Sequence, residues 1–213
     1  MLKALALLTM VIDHVGFLFF PEQEWMRAVG RLTMPIFGYA IARGFYYTSN
    51  ANKYISRMAV LAVASQVPFT ILFNQYSELQ VFGESYWIPV LNMIVPWTLA
   101  LILLRAPGLA VAPIVVALLY IPMDYTSLII LLPIAVYHLW FRSRRPLWAL
   151  LASIGVLSLI ALLSAPVQWF ALLAIPLIYF LEPWDNKVKL NRWLFYFFYP
   201  VHMLLLFGVV ALL

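Results

Sequence analysis

Residues 2–16 read LKALALLTMVIDHVG, and after a short loop residues 30–48 read GRLTMPIFGYAIARGFYYT. The first stretch is an apolar helix carrying an aspartate and a histidine. The second is an apolar helix bracketed by Arg31 and Arg43. An ionisable side chain at the centre of a membrane helix costs roughly 2.5–3.5 kcal/mol on insertion scales, so such residues are retained for a reason. Asp13, His14, Arg31 and Arg43 are therefore the first candidates for a functional site.

The rest of the chain fits that reading. Its 213 residues are 66% hydrophobic and only 10% charged, against roughly 25% charged in soluble domains, and the mean hydropathy is +0.98. These values describe a polytopic membrane protein, all-α, with a single domain over residues 1–213. Each crossing takes about 20 residues, so about nine spans (8–10) fill the chain and leave only short loops. Chemistry then falls to side chains at membrane depth or in those loops. The net charge of +5 does not point to nucleic acid, because Lys and Arg collect in cytoplasmic loops for topological reasons. The absence of cysteine excludes disulfides, a thiolate metal site and an acyl-cysteine intermediate. No metal is expected. The first stretch lacks a small-x-small cleavage site and is read as a retained helix, not a signal peptide.

Apolar segments separated by charges, Pro and Gly predict helices near 2–20, 29–48, 53–73, 88–105, 108–122, 124–141, 146–164, 167–182 and 192–213. With the amino terminus in the cytoplasm, most Lys and Arg residues fall on that side and only Arg27 and Arg31 fall opposite, beside the acidic Glu22, Glu24, Glu78, Glu84 and Asp124. The stretch from Asn74 to Trp87 is read as a loop whose aromatic residues suit the membrane interface.

Adjacent helical residues point about 100° apart, so Asp13 and His14 do not aim at one partner in the same way. One acts while the other is structural. Lys3 and His14, eleven positions apart, return to nearly one helical face about 16 Å apart along the axis. A histidine suits general-base work on an amine or hydroxyl that attacks a carbonyl, and the plainer alternative is an interhelical hydrogen bond. Arg31 is placed to neutralise Asp13 across the helix pair. Arg43, Lys53 and Arg57 form a cytoplasmic-side basic cluster suited to phosphate or pyrophosphate, or simply to topology. Gln66, Asn92, Asp124, Tyr125, Tyr199 and His202 place further polar groups within apolar runs, beside prolines that free backbone carbonyls where a cavity or neighbouring helix satisfies them. Gln168 and His138 fall near predicted helix ends and receive no role. No Gly-rich phosphate loop, G-x-S-x-G elbow or H-E-x-x-H is present.

Taken together, LKALALLTMVIDHVG, GRLTMPIFGYAIARGFYYT, the Lys53-to-Phe69 stretch ending SQVPF, LNMIVPWTLALILL, the Asp124-Tyr125 helix and FYPVHMLLL resemble the TraX family over essentially the whole chain. That family is associated with acetylation of pilin amino termini and is similar to the wider integral-membrane acyltransferase (acyltransferase-3-like) superfamily. Its members carry a basic residue, ten intervening residues and a histidine on the first helix, and Lys3 and His14 have that spacing with lysine in the usual arginine's place. The resemblance implies a multi-pass protein of the bacterial cytoplasmic (inner) membrane that takes acetyl-CoA from the cytoplasm. Its acceptor would be a pilin, glycan, lipid or small amine. The residues themselves fit that chemistry: Lys3, Arg43, Lys53 and Arg57 are expected to hold acyl-CoA, with His14 as base, Asp13 orienting or charge-balancing it, and Arg31 or Asn92 facing the developing oxyanion. A transporter or flippase, or a non-catalytic envelope assembly factor, also places charges and prolines at membrane depth. Binding of CoA separates the enzyme from both.

Overall fold

The computed structural model describes residues 1–74, 76–81, 84–106, 108, 114, 121–124, 127–187 and 191–213. Among these residues four helices are long and apolar enough to cross a bilayer, Leu2–Phe19, Ala51–Phe73, Pro166–Asp185 and Trp193–Val210. The protein is a helical membrane protein. Three shorter apolar helices, Ile94–Arg105, Leu128–Arg142 and Pro146–Leu162, accompany them. The expected count of about nine thus meets four full-length helices, since the 12 residues of Ile94–Arg105 rise only about 18 Å against a core of about 30 Å. The helix expected over 108–122 lies almost wholly outside the described residues, as does Tyr125.

The chain divides into two compact units, Met1–Tyr47 with Leu131–Phe198, and Thr48–Ile130 with Tyr199–Leu213. In the first, α1 (Leu2–Phe19) turns at Phe20–Gln23 into α2 (Glu24–Gly30), which stops two residues before α3 (Thr33–Tyr47). The single helix expected over 29–48 is therefore interrupted. The N–H of Arg31 bonds the carbonyls of Arg27 and Ala28, both at 3.2 Å, closing α2 with a tightened last turn. Pro35 sits in the first turn of α3, where a missing N–H has no intrahelical partner to lose.

Beyond α3, the segment from Ser127 winds in three ways: a 3₁₀ turn Ser127–Ile130, the α6 turn Leu131–Ala135 and a π-helix Val136–Arg142. The helix α7 (Pro146–Leu162) carries its proline at the first position, the place where proline does least harm. A 3₁₀ stretch Pro166–Leu173 leads into α8 (Ala174–Leu181) and a further 3₁₀ stretch Glu182–Lys187, and α9 (Arg192–Val210) begins in this unit and continues into the second. The core of this unit is formed by Leu2, Ala6 and Met10, by Met34, Ile36 and Ala42, and by Leu132, Leu157, Ile160, Ala171 and Ala174, all 2% exposed or less.

Lipid tails are as apolar as leucine, so helices within a bilayer associate through close packing and interhelical hydrogen bonds. The small residues supply that closeness. A β-carbon on Gly16 would lie 2.6 Å from the Met26 Cβ, and one on Gly38 would lie 2.9 Å from a Leu132 methyl. Thr9 on α1 meets Thr33 on α3 at 2.7 Å, hydroxyl to hydroxyl, and the Thr9 oxygen also reaches the Leu5 and Ala6 carbonyls of its own helix.

In the second unit, α4 (Ala51–Phe73) is opened by Asn50, whose side chain accepts from the Lys53 N–H, and closed by Asn74 in the left-handed conformation. Val60, Val63, Val67 and Ile71 form an exposed apolar stripe down α4, while Leu61, Ala62, Ser65, Phe69 and Leu72 are buried on the other side. That division suits a helix with one face to lipid. The stretch expected as a loop contains a hairpin: β1 (Tyr76–Val81) pairs antiparallel with β2 (Glu84–Pro89), Tyr76 opposite Pro89 and Val81 opposite Glu84. Its aromatic and β-branched residues are strand formers as well as interfacial ones.

After the hairpin, Asn92 packs fully buried just before α5 (Ile94–Arg105). The Asn92 Nδ2 donates to the Ala62 carbonyl and to Gln66 Oε1, each at 2.9 Å, and Asn92 Oδ1 accepts from the Ile94 N–H at 3.1 Å. Gln66 in turn donates to the Val90 carbonyl at 2.9 Å and to the Thr70 hydroxyl at 3.1 Å. This network ties α4 to the start of α5. Asn92→Ala will strand the Ile94 N–H, remove the bonds to Ala62 and Gln66 Oε1 that tie it to α4, and lower stability by about 1–3 kcal/mol; a thermal melt in detergent equal to wild type would refute that role.

Candidate functional site

The site begins with two helix periodicities. Thr9 and Asp13 are four residues apart on α1, and Arg27 and Arg31 four apart at the end of α2, so each pair shares a face. The tight turn between the helices brings the faces together. Arg27 Nη1 lies 2.8 Å and Arg31 Nη2 2.9 Å from the same Asp13 oxygen, Oδ1. Arg27 also donates to the Asp13 backbone carbonyl at 3.2 Å and lies over the Phe17 ring, 5.0 Å from its centre. Arg31 Nε donates to the Arg27 carbonyl at 3.2 Å, and Arg31 Nη1 donates to Gln168 Oε1 at 3.3 Å.

Gly30 makes this approach possible. A β-carbon there would stand 2.1 Å from Asp13 Oδ1 and 2.3 Å from its Cβ, so only hydrogen fits against the carboxylate. Gly30→Ala is expected to push Asp13 off its arginines and destabilise the protein by about 1–3 kcal/mol, as overpacking of a close contact does. An unchanged melting temperature would show that Asp13 has another seat.

Asp13 and Arg31 are each 7% exposed and Gln168 is 3% exposed. One carboxylate and two guanidiniums leave this cluster with one net positive charge. The neighbouring His14 is half-buried on the next position of α1. Gln168 is the residue that sequence reasoning passed over. It stands on the 3₁₀ stretch after Pro166, far from Arg31 in sequence, and its only signal was a polar side chain among apolar neighbours near a helix start.

At the other end of α1 a second charged group gathers. Asp185 accepts from the α-amine of Met1 at 2.9 Å and from the Leu2 N–H at 2.8 Å, and its other oxygen pairs with Arg43. Lys3 is half-buried, its ammonium 5.6 Å from the centre of the Phe195 ring. In the second unit, taken by itself, Lys53 is exposed, and Arg57 one turn later lies over the Tyr54 ring at 5.7 Å.

The structure thus brings Asp13 to Arg31, and Gln66 to Asn92. It sets the Tyr199 and His202 rings edge to face at 5.9 Å, both buried. The Asp124 N–H bonds the Leu91 carbonyl at 2.7 Å, which brings this half-buried aspartate alongside the Asn92 segment. Lys3, Asp13, His14, Arg31 and Arg43 belong to the first unit, while Lys53, Arg57, Gln66, Asn92, Asp124, Tyr199 and His202 belong to the second.

The family model described as TraX protein matches residues 1–210. The chain belongs to the TraX family. It is similar to the probable fimbrial assembly protein FimC of serogroup H1 from Dichelobacter nodosus, 27% identical over 96% of this chain and 92% of that protein. It is also similar to the uncharacterized protein RP591 of Rickettsia prowazekii (strain Madrid E), 35% identical over 40% of this chain and 33% of that protein. No solved structure matches the chain.

Proposed function

We propose that this TraX-family protein is a membrane-embedded acetyltransferase that moves an acetyl group from cytoplasmic acetyl-CoA to an amine or hydroxyl at or across the inner membrane. The observation that carries the reading is the locked Asp13: two arginines and Gly30 fix the rotation of α1, and so fix where the next residue, His14, stands. In this reading His14 takes the proton of the attacking acceptor, and the net positive Asp13, Arg27 and Arg31 cluster favours negative charge forming nearby. Lys3 offers positive charge to the CoA phosphates, and Arg43 does so once it leaves Asp185. The acceptor is a pilin amino terminus, in keeping with the family and with the fimbrial assembly name of the Dichelobacter relative. Direct transfer is the simplest course: the acceptor attacks the thioester carbonyl, the C–S bond breaks, and CoA leaves with the proton held by His14.

Detergent-purified protein supplied with labelled acetyl-CoA and a peptide bearing a free amino terminus will give labelled peptide and free CoA. The relative's name equally fits a non-catalytic assembly factor. In that case neither CoA binding nor transfer will be observed, and the enzyme reading falls.

A further inference from the structure

Gln168 carries a buried amide nitrogen, Nε2, that has no hydrogen-bond partner among the described residues. Its orientation is set by its other end. Oε1 faces the Arg31 Nη1 donor at 3.3 Å, and a flipped amide would press two donors together. The two Nε2 hydrogens therefore point away from Arg31, in a side chain only 3% exposed. The backbone holds it there: Pro166 opens the 3₁₀ stretch and the Gln168 N–H bonds the Ala165 carbonyl at 2.9 Å. Unsatisfied buried donors are expensive and uncommon in native proteins, and each is accounted for by strain, a catalytic role or a bound water or ion. Arg31 has its own donors engaged by Asp13, Gln168 and the Arg27 carbonyl, so it brings charge to the cluster while Gln168 brings a spare donor.

We propose that Gln168 Nε2 donates to the carbonyl oxygen of the transferred acyl group, an inference that rests on the acetyltransferase reading above. As the acceptor attacks the thioester carbon, the C=O electrons move onto oxygen, and the amide hydrogens meet the oxyanion beside a net positive cluster. Collapse of the intermediate restores C=O, expels CoA thiolate and transfers to it the proton held by His14. Acceptor and acetyl-CoA become acetylated acceptor and CoA, with nothing else consumed.

The discriminating variant is Gln168→Glu, which keeps an acceptor for Arg31 and removes the donor. Transfer from labelled acetyl-CoA to an amine-bearing peptide will fall about 100- to 1,000-fold in kcat, with the melting temperature kept and the KM for acetyl-CoA little changed. Gln168→Met, which removes both functions, will lose activity and stability together. Wild-type kcat in Gln168→Glu, with the wild type active, overturns the Gln168 role alone. No transfer by the wild type overturns the acetyltransferase reading, and this inference with it.

Discussion

Asp13→Ala will destabilise the protein by about 3–5 kcal/mol, the cost of removing one partner from a buried ion pair, and lower its melting temperature in detergent by about 10 °C. The reason lies in the distances. Both arginines meet the same carboxylate oxygen at 2.8 and 2.9 Å, with side-chain exposures of 28% for Arg27 and 9% for Arg31. Arg27 reaches solvent or headgroups when the carboxylate goes. Arg31 does not, and its charge is left in a low-dielectric interior. Pairing Asp13→Ala with Arg31→Met will recover part of the loss, because an apolar replacement of a whole buried pair is often neutral. A single variant that melts like wild type would show that this ion pair contributes nothing to the fold. Activity alone cannot assign Asp13 a chemical role, since its loss disturbs α1 and α2 together.

On the proposed acetyltransferase reading, His14→Ala will leave the fold intact and lower acetyl transfer by about 10²- to 10⁴-fold, the range that a positioned general base contributes. His14 is half-buried, so truncation removes less packing than at a fully buried position. The measurement is turnover of labelled acetyl-CoA on protein that remains monodisperse and melts like wild type. Retained turnover would remove His14 from the chemistry. Loss of folding, with no turnover in the wild type, would favour an assembly role in which this part of α1 is packing.

The neighbouring variants divide what the sequence placed side by side. Two adjacent polar residues on an apolar helix were readable as a pair of which one acts and one is structural, because consecutive side chains point about 100° apart. The Asp13 to Arg31 pairing was legible for the same reason that α1 and α2 are neighbours: a short turn joins them. Arg27 was read only as a far-side charge, although it stands one turn before Arg31 and shares the same carboxylate. Gln168 was not legible, since its partner is 137 residues away and no periodicity links an irregular 3₁₀ stretch to α2. Asn92 was read as a cavity group. Its amide hydrogens instead bond Ala62 and Gln66, which required knowing that α4 and α5 pack together.

Composition and hydropathy by themselves determined that this is a helical membrane protein, because a chain with 10% charge has too few polar groups for a water-facing surface of ordinary kind. The ordered motifs determined the family. Only the tertiary structure decided where helices stop, as at the Gly30–Thr33 break and along the 3₁₀, α and π windings of 127–142, since hydropathy reports burial in lipid and not hydrogen-bond register. It alone decided which polar groups spend their bonds on each other and which, like Gln168 Nε2, keep one to offer. Hydrogen bonding is directional over about 3 Å, and that directionality is set by residues distant in the chain.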